Sequence, residues 1–377
     1  MIELTGITWN HTRGYLPMAA TAQRFSELHP EVAIRWEKRS LQQFADYPVE
    51  KLAAEFDLLV IDHPCIGCAA ENGVFLPLDE LLPQTFLDDQ ARNSVGRSHE
   101  SYFYGGHQWA LAIDAAAPVS GWRRDLLERA GSEPPKTWAE LLSLARRGLV
   151  AVPGLAIDSL MHFYMLAAAL GEAPFSAEEA VVSRSAGIEA LTLLRELFLL
   201  CDPACLNRNP PATWELLASS DSVAYCPFAY GYSNYGRPGY AARQLEFGGL
   251  VEIDGRGRCR STLGGAGLAI SSRCRHREQA AAYARYVAGG ECQRTLYFCS
   301  GGQPGHRAAW IDPEVNRACN NFFQDTLACL DHAVLRPRFN GYLGFQDQAA
   351  PVVHEYLCRG GDPENVLNTL NELLLSR

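Results

Sequence analysis

The sequence predicts an α/β protein folded as two lobes, and three observations carry that prediction. The chain has 377 residues, too many for one small core and suited to two compact units of ordinary size. Residues 2–61 alternate strand and helix signals, the βαβ pattern that implies right-handed crossovers and an open sheet. Within them Phe56-Asp57-Leu58-Leu59-Val60-Ile61 is a near-continuous apolar run, as expected of a strand covered on both faces.

Each element follows from its own pattern. Residues 2–9 alternate like a strand. Residues 17–28 place apolar side chains at helical spacing and stop before His29-Pro30. Residues 32–36 form a second strand, and residues 42–55 a helix interrupted near Pro48. Tyr104-Gly105-Gly106 is a turn leading into a strand that ends at Asp114. Residues 121–131 read as a helix stopped by Gly131. Thr137 and Glu140 have the spacing of a capping box at the start of the next helix. Helices then dominate to Leu200, apart from a strand around Val150. A short helix at 214–218, a strand at 223–228, a glycine-rich strand at 264–270 and a helix at 277–287 follow. The tail from 347 to 375 is mainly helical.

Composition narrows the function. Hydrophobic residues make up 47% and charged residues 20%, which is a globular balance. Lys+Arg 33 against Asp+Glu 43 gives a net charge of −10, and an acidic surface repels nucleic acid. No nucleic acid partner is expected. The most apolar stretch, residues 160–170, is far short of the roughly 20 residues that span a bilayer, so no membrane insertion is expected either. Met1 leads directly into a strand instead of a basic and then apolar leader. The 12 cysteines are scattered, and so many thiols suit a reducing compartment. The chain as it stands is therefore expected in the cytoplasm, with the periplasm as the alternative where a leader has been removed.

Ligands of open α/β sheets bind at the carboxyl ends of strands. Two loops occupy that place: residues 10–15 after the first strand and residues 62–68 after the third. Both are rich in polar and aromatic side chains. Ordinary cap and turn chemistry explains any one of these residues, but two such loops on one sheet edge point to binding.

Five segments, in order, carry a resemblance. Tyr104-Gly105-Gly106-His107-Gln108-Trp109-Ala110-Leu111-Ala112-Ile113-Asp114 looks like "YGGxxYALPxD". Trp122-Arg123-Arg124-Asp125-Leu126-Leu127 looks like "YRxDLF", and Pro135-Lys136-Thr137-Trp138-Ala139-Glu140-Leu141 like "PxTWxEL". Gly264-Gly265-Ala266-Gly267-Leu268-Ala269-Ile270 looks like "GGxGLAI", and Gly301-Gly302-Gln303-Pro304 like "GGxP". The chain thus resembles the extracellular solute-binding proteins of ABC importers, in particular those that bind sugars and related small molecules. It departs from them in lacking a leader or lipobox, in Trp122 where Tyr is usual, and in its cysteines.

The resemblance implies a periplasmic-binding-protein-like fold of type II, each lobe an open mixed sheet flanked by helices. Crossovers are expected near residues 112–115, 262–265 and 311–317. The first lobe is then 1–112 and 264–311, and the second 113–263 and 312–377. The implied function is capture of a small polar ligand in an interlobe cleft by hinge closure. The partner would be an ABC permease if the protein is exported. A monomer without cofactor or metal is expected.

Aromatic faces stack on sugar C–H groups, while carboxylates, amides and arginine bond hydroxyls. The candidates on that basis are Trp9, His11, Arg13, Asp62 and His63 from the first lobe, with Asp114 at the hinge and Gly265 at the crossover. From the second they are Tyr230, Tyr232 and Asn234, in a tyrosine-dense loop. Arg338 and Asn340 read as surface-loop residues. Arg13 and the histidines suit a carboxylate as well as a hydroxyl, so sugar, sugar acid and other small polar metabolites all stay open. The alternative is a cytoplasmic enzyme on the same fold, similar to thiaminase-like transferases, with Cys65 as nucleophile at a helix start and His63 as its base. A cytoplasmic ligand sensor is the other alternative.

Overall fold

The computed structural model describes residues 1–41, 48–177, 179–253 and 255–376. Its strands are β1 (Ile2–Trp9), β2 (Val32–Arg39), β3 (Leu58–Ile61), β4 (Phe103–Tyr104), β5 (His107–Gln108), β6 (Ala110–Ala116), β7 (Pro118–Trp122), β8 (Tyr225–Tyr230), β9 (Glu246–Gly248) and β10 (Gly264–Ile270). The chain divides into two compact units. The first holds Met1–Ala116, Leu263–Arg317 and Leu335–Asn340; the second holds Ala117–Thr262, Ala318–Val334 and Gly341–Arg377. No helix among the described residues is long and apolar enough to cross a membrane.

The first unit is built on a five-stranded sheet of order β2-β1-β3-β10-β6. β1 runs parallel to β2 and β3, whereas β10 is antiparallel to both β3 and β6. The sheet is therefore mixed. All four residues of β3 are buried, as its apolar run requires. Leu4, Val60, Leu111 and Leu268 enter one core with Phe25 and Tyr283 from flanking helices. The β1–β2 pairing runs unbroken from Ile2↔Val32 to Trp9↔Arg39, which carries β2 three residues past the Trp36 end expected from pattern.

The first helix, Thr12–Leu28, starts five residues before Pro17. A proline suits a first turn, so pattern alone starts the helix there. The structure instead caps it with His11, whose Nδ1 accepts from the Arg13 N–H at 3.0 Å. Pro17 is left in the interior, where it forgoes one backbone bond. The expected helix at 42–55 falls partly outside the described residues; its remainder is the helix Val49–Glu55.

The second unit holds a three-stranded antiparallel sheet of order β8-β7-β9. Residues 121 and 122, expected at a helix start, instead end β7: Gly121 and Trp122 pair with Cys226 and Tyr225 on one side and with Phe247 and Glu246 on the other. The helix there is Arg124–Arg129, and Gly131 after it takes φ +62. Val150 makes an isolated parallel bridge to Tyr225. The Thr137/Glu140 capping box is present in both directions. The helix Ala156–Ala169 is buried almost all round and packs against Arg184–Leu200 and Tyr342–Arg359. The tail is two helices, Tyr342–Arg359 and Pro363–Leu375, broken at Gly360 and Gly361, both with positive φ.

Residues 335–340, expected in the second lobe, belong to the first unit. The cause is a pair of arginines. Arg336 bonds Asp62 and the Leu263 carbonyl, and Arg338 bonds the Glu100 and Phe103 carbonyls at 2.7 and 2.5 Å. Residues 312–317 also lie in the first unit, where Asn316 Nδ2 donates to the Trp310 carbonyl at 2.8 Å.

Candidate functional site

In the first unit, β1 and β3 end at the same sheet edge at which β6 ends and β10 begins, because β10 runs against its neighbours. The loops after β1 and β3 therefore share that edge with Asp114 and Gly265. The side chains there are ordered by two ion pairs.

The first pair joins Arg13 to Asp114. Arg13 Nε lies 2.7 Å from Oδ2, and Nη2 lies 2.5 Å from Oδ1. Both side chains are buried, with 5% and 0% of their area exposed. Two parallel N–H···O bonds fix a guanidinium against a carboxylate in one geometry. Burial pushes the Asp114 carboxyl upward, and Arg13 pulls it back. Gly265 is needed beside this pair. Its φ is +111, and a Cβ there would lie 2.3 Å from the Asp114 carbonyl oxygen.

The second pair joins Asp62 to Arg336, whose Nη2 is 2.7 Å from each carboxylate oxygen. Burial would raise the Asp62 carboxyl, but Arg336 and the His63 N–H outweigh it and hold the group well below the usual carboxylate range. Asp62 also caps the turn His63–Cys65, accepting from the His63 backbone N–H at 2.9 Å.

The two histidines are held neutral. His63 is buried, and burial together with Arg336 lowers it to about 4. Its ring stands edge-on to Tyr102. His11 is also lowered to about 4, by burial and then by Arg13. Trp9 lies in the hydrophobic core, and the helix start packs so closely on it that a Cβ at Gly14 would come within 2.4 Å of its ring.

In the second unit, Tyr230 is the last residue of β8, not part of the loop as expected, because it still pairs with Pro118 of β7. Its hydroxyl is 3.2 Å from Thr262 Oγ1, and its carbonyl accepts from Trp214 Nε1 at 2.8 Å. Tyr232, Ser233 and Asn234 follow it and are buried, the last two inside the short turn Ser233–Gly236.

Sequence reasoning singled out Arg338 and Asn340 but passed over Arg336. Arg338 is tied to backbone carbonyls, and Asn340 Nδ2 donates to Glu71 at 2.7 Å. Nothing local distinguishes Arg336 from Arg338. The signal is the partner 274 residues away.

Cys65 sits, as expected, directly before a helix start, that of Ile66–Glu71. Its chemistry runs opposite to that of a nucleophile. The thiol is buried, donates to the Asp62 carbonyl at 3.1 Å, and is pushed far up by burial and the Asp62 charge. Cys68 is raised to about 11 by burial and Glu50. The site supplies no ready thiolate.

The sequence model of the bacterial extracellular solute-binding protein family matches residues 8–291. The mannitol-binding protein of Pseudomonas aeruginosa is 27% identical over 135 residues, which is 34% of this chain and 30% of that protein. The maltotriose-binding protein of Pyrococcus abyssi is 28% identical over 120 residues, covering 32% of this chain and 25% of that one. The matched stretch thus spans less than a third of either relative's own length. Among solved structures, maltose-bound MalE3 of T. maritima gives a TM-score of 0.85 over 100% of both chains at 18% identity. A solute-binding protein of Agrobacterium vitis S4 with bound D-mannitol gives 0.79 over 100% of this chain and 98% of that one, at 15% identity. These likenesses establish the two-lobed fold.

Proposed function

Because the chain belongs to the bacterial extracellular solute-binding protein family, we propose that it captures a neutral, hydroxyl-rich small molecule, a sugar or polyol, and delivers it to an ABC permease. The observation that carries this reading is the mutual pairing of charges at the first unit's strand ends. Arg13 offers its fork to Asp114, and Asp62 receives Arg336. An arginine already held bidentate by a carboxylate is a poor receptor for a second one. This favours sugar and polyol over sugar acid, and it agrees with what the mannitol- and maltotriose-binding relatives are named for.

His11, Arg13, Asp62, His63, Asp114 and Gly265 then serve this edge in two ways. The ion pairs and the glycine shape it, and His11 lines the loop that opens on it. From the second unit we propose Tyr230, Tyr232 and Asn234 as ligand-facing groups. Closure about a hinge belongs to the same proposal: a ligand that prefers one conformer shifts the population toward it. The family's extracellular description favours a site of action outside the cytoplasm, and the burial of most of the cysteines protects them there.

A thermal-shift screen tests the reading. Binding to the native state raises the melting temperature. D-Mannitol, ribitol, maltose and tagatose are set against their carboxylate counterparts and against thiamine-like heterocycles. Stabilisation by a neutral member supports the proposal, and stabilisation by acids or heterocycles alone refutes it.

A further inference from the structure

Tyr230 is anchored at both ends of its side chain, by groups that all belong to the second unit. Its backbone pairs with Pro118 of β7, and its carbonyl accepts from Trp214 Nε1 at 2.8 Å. Its hydroxyl, at the far end of the ring, lies 3.2 Å from Thr262 Oγ1. Tyr230 is half-buried, whereas the five residues of β8 before it are buried.

Thr262 is a firm anchor. It is 1% exposed, and it makes a parallel bridge to Val334. The Val334 N–H donates to the Ser261 carbonyl at 2.7 Å. The Ser261 hydroxyl donates to the carbonyl of Pro118, the cross-strand partner of Tyr230. Residues 261 and 262 therefore hold Tyr230 twice, once through its strand partner and once through its hydroxyl. With the backbone and the phenol oxygen both fixed, the side chain keeps one χ1 well.

We propose that Thr262 is a positioning residue for ligand binding. Its hydroxyl sets the Tyr230 ring before a neutral sugar or polyol arrives, without touching that ligand. The role stands on the reading of Tyr230 as a ligand-facing group. A ring that stacks on sugar C–H groups does so at lower cost when it is already ordered, because immobilising a loose side chain on binding loses affinity.

Isothermal titration tests this with whichever of D-mannitol, ribitol, maltose and tagatose binds the wild type most tightly. Thr262→Val removes the hydroxyl and should weaken binding about three- to tenfold, the scale of ordering one side chain. The melting temperature of each variant is recorded to show that it is folded. Thr262→Ser keeps the hydroxyl and should bind within about twofold of the wild type. In a Tyr230→Phe background Thr262→Val should change nothing further, because the bond is already gone. Should Thr262→Val unfold, Tyr230→Phe breaks the same bond from its half-buried end and should itself weaken binding. A readout without ligand is fluorine NMR of protein carrying 3-fluorotyrosine. The Tyr230 resonance, assigned by its loss in Tyr230→Phe, should move in Thr262→Val and return in Thr262→Ser.

A folded Thr262→Val or Tyr230→Phe that binds like the wild type, a full second loss in the double variant, or an unmoved Tyr230 resonance overturns the proposal. Tyr230→Ala separates this from the reading beneath it. If Tyr230→Ala weakens binding and Thr262→Val does not, the positioning role alone falls. If Tyr230→Ala binds like the wild type, or none of the four probes binds, the reading of Tyr230 falls and takes the role of Thr262 with it.

Discussion

Arg336 reaches back 274 residues to place one nitrogen 2.7 Å from each carboxylate oxygen of Asp62. The contact fixes the loop after β3 and draws residues 335–340 into the first unit. Its removal leaves a largely desolvated carboxylate without its cation. Arg336→Met should lower stability by about 3 kcal/mol, the usual scale for breaking a buried pair on one side. Urea unfolding measures this, and a loss under about 0.5 kcal/mol would make the pair an ordinary surface contact.

His63 makes stability depend on pH. Its folded value is about 4, whereas an ordinary histidine titrates near 6.5. Between those values the unfolded chain takes up a proton that the folded chain refuses. Stability therefore falls as pH drops through this window, by about 1.4 kcal/mol per pH unit for one such group. Asp62 acts at lower pH. Its contribution is complete above the ordinary carboxylate range and is lost as pH falls below it. His63→Gln should flatten the stability profile between about pH 6 and 4.5 by that slope. Urea curves at several pH values read it directly, and an unchanged slope means that His63 is charged in the fold.

Two glycines should respond with opposite signs. Gly265→Ala puts a Cβ 2.3 Å from the Asp114 carbonyl at φ +111 and should cost more than about 2 kcal/mol. Gly344 lies in the helix Tyr342–Arg359 with nothing within 4 Å of an added Cβ. Gly344→Ala should gain about 0.5–1 kcal/mol by limiting the unfolded chain. Thermal unfolding of the two variants distinguishes strain from chain entropy, and equal effects would contradict both assignments.

Cys65 should be dispensable for binding. Its thiol is buried and held protonated by its surroundings. Cys65→Ser should keep ligand affinity within about twofold, less than 0.5 kcal/mol. Calorimetry checks this, and loss of a turnover activity in the variant would restore the enzymatic reading.

Much of this architecture is legible in the sequence because it depends on local periodicity. The apolar run of β3, the β10 glycines and the Thr137/Glu140 box each carry their structure within a few residues. The misreadings arise where tertiary pairing overrides local pattern. Gly121 and Trp122 precede a helical stretch, yet two neighbouring strands hold them extended. Pro17 looks like a helix start, yet His11 caps the chain six residues earlier. The site was legible as two loops on one edge, but not as two ion pairs. The partners of Arg13 and Asp62 are 101 and 274 residues away, and spacing along the chain does not encode which charges meet.

The charge pairing makes its sharpest claim about the ligand. Isothermal titration of neutral sugars and polyols, each paired with the matching carboxylate, tests it most directly. The account predicts saturable binding of at least one neutral member, with its acid partner at least about tenfold weaker, or 1.4 kcal/mol. Tighter binding of an acid than of its neutral counterpart would mean that Arg13 exchanges Asp114 for the ligand, and would contradict it.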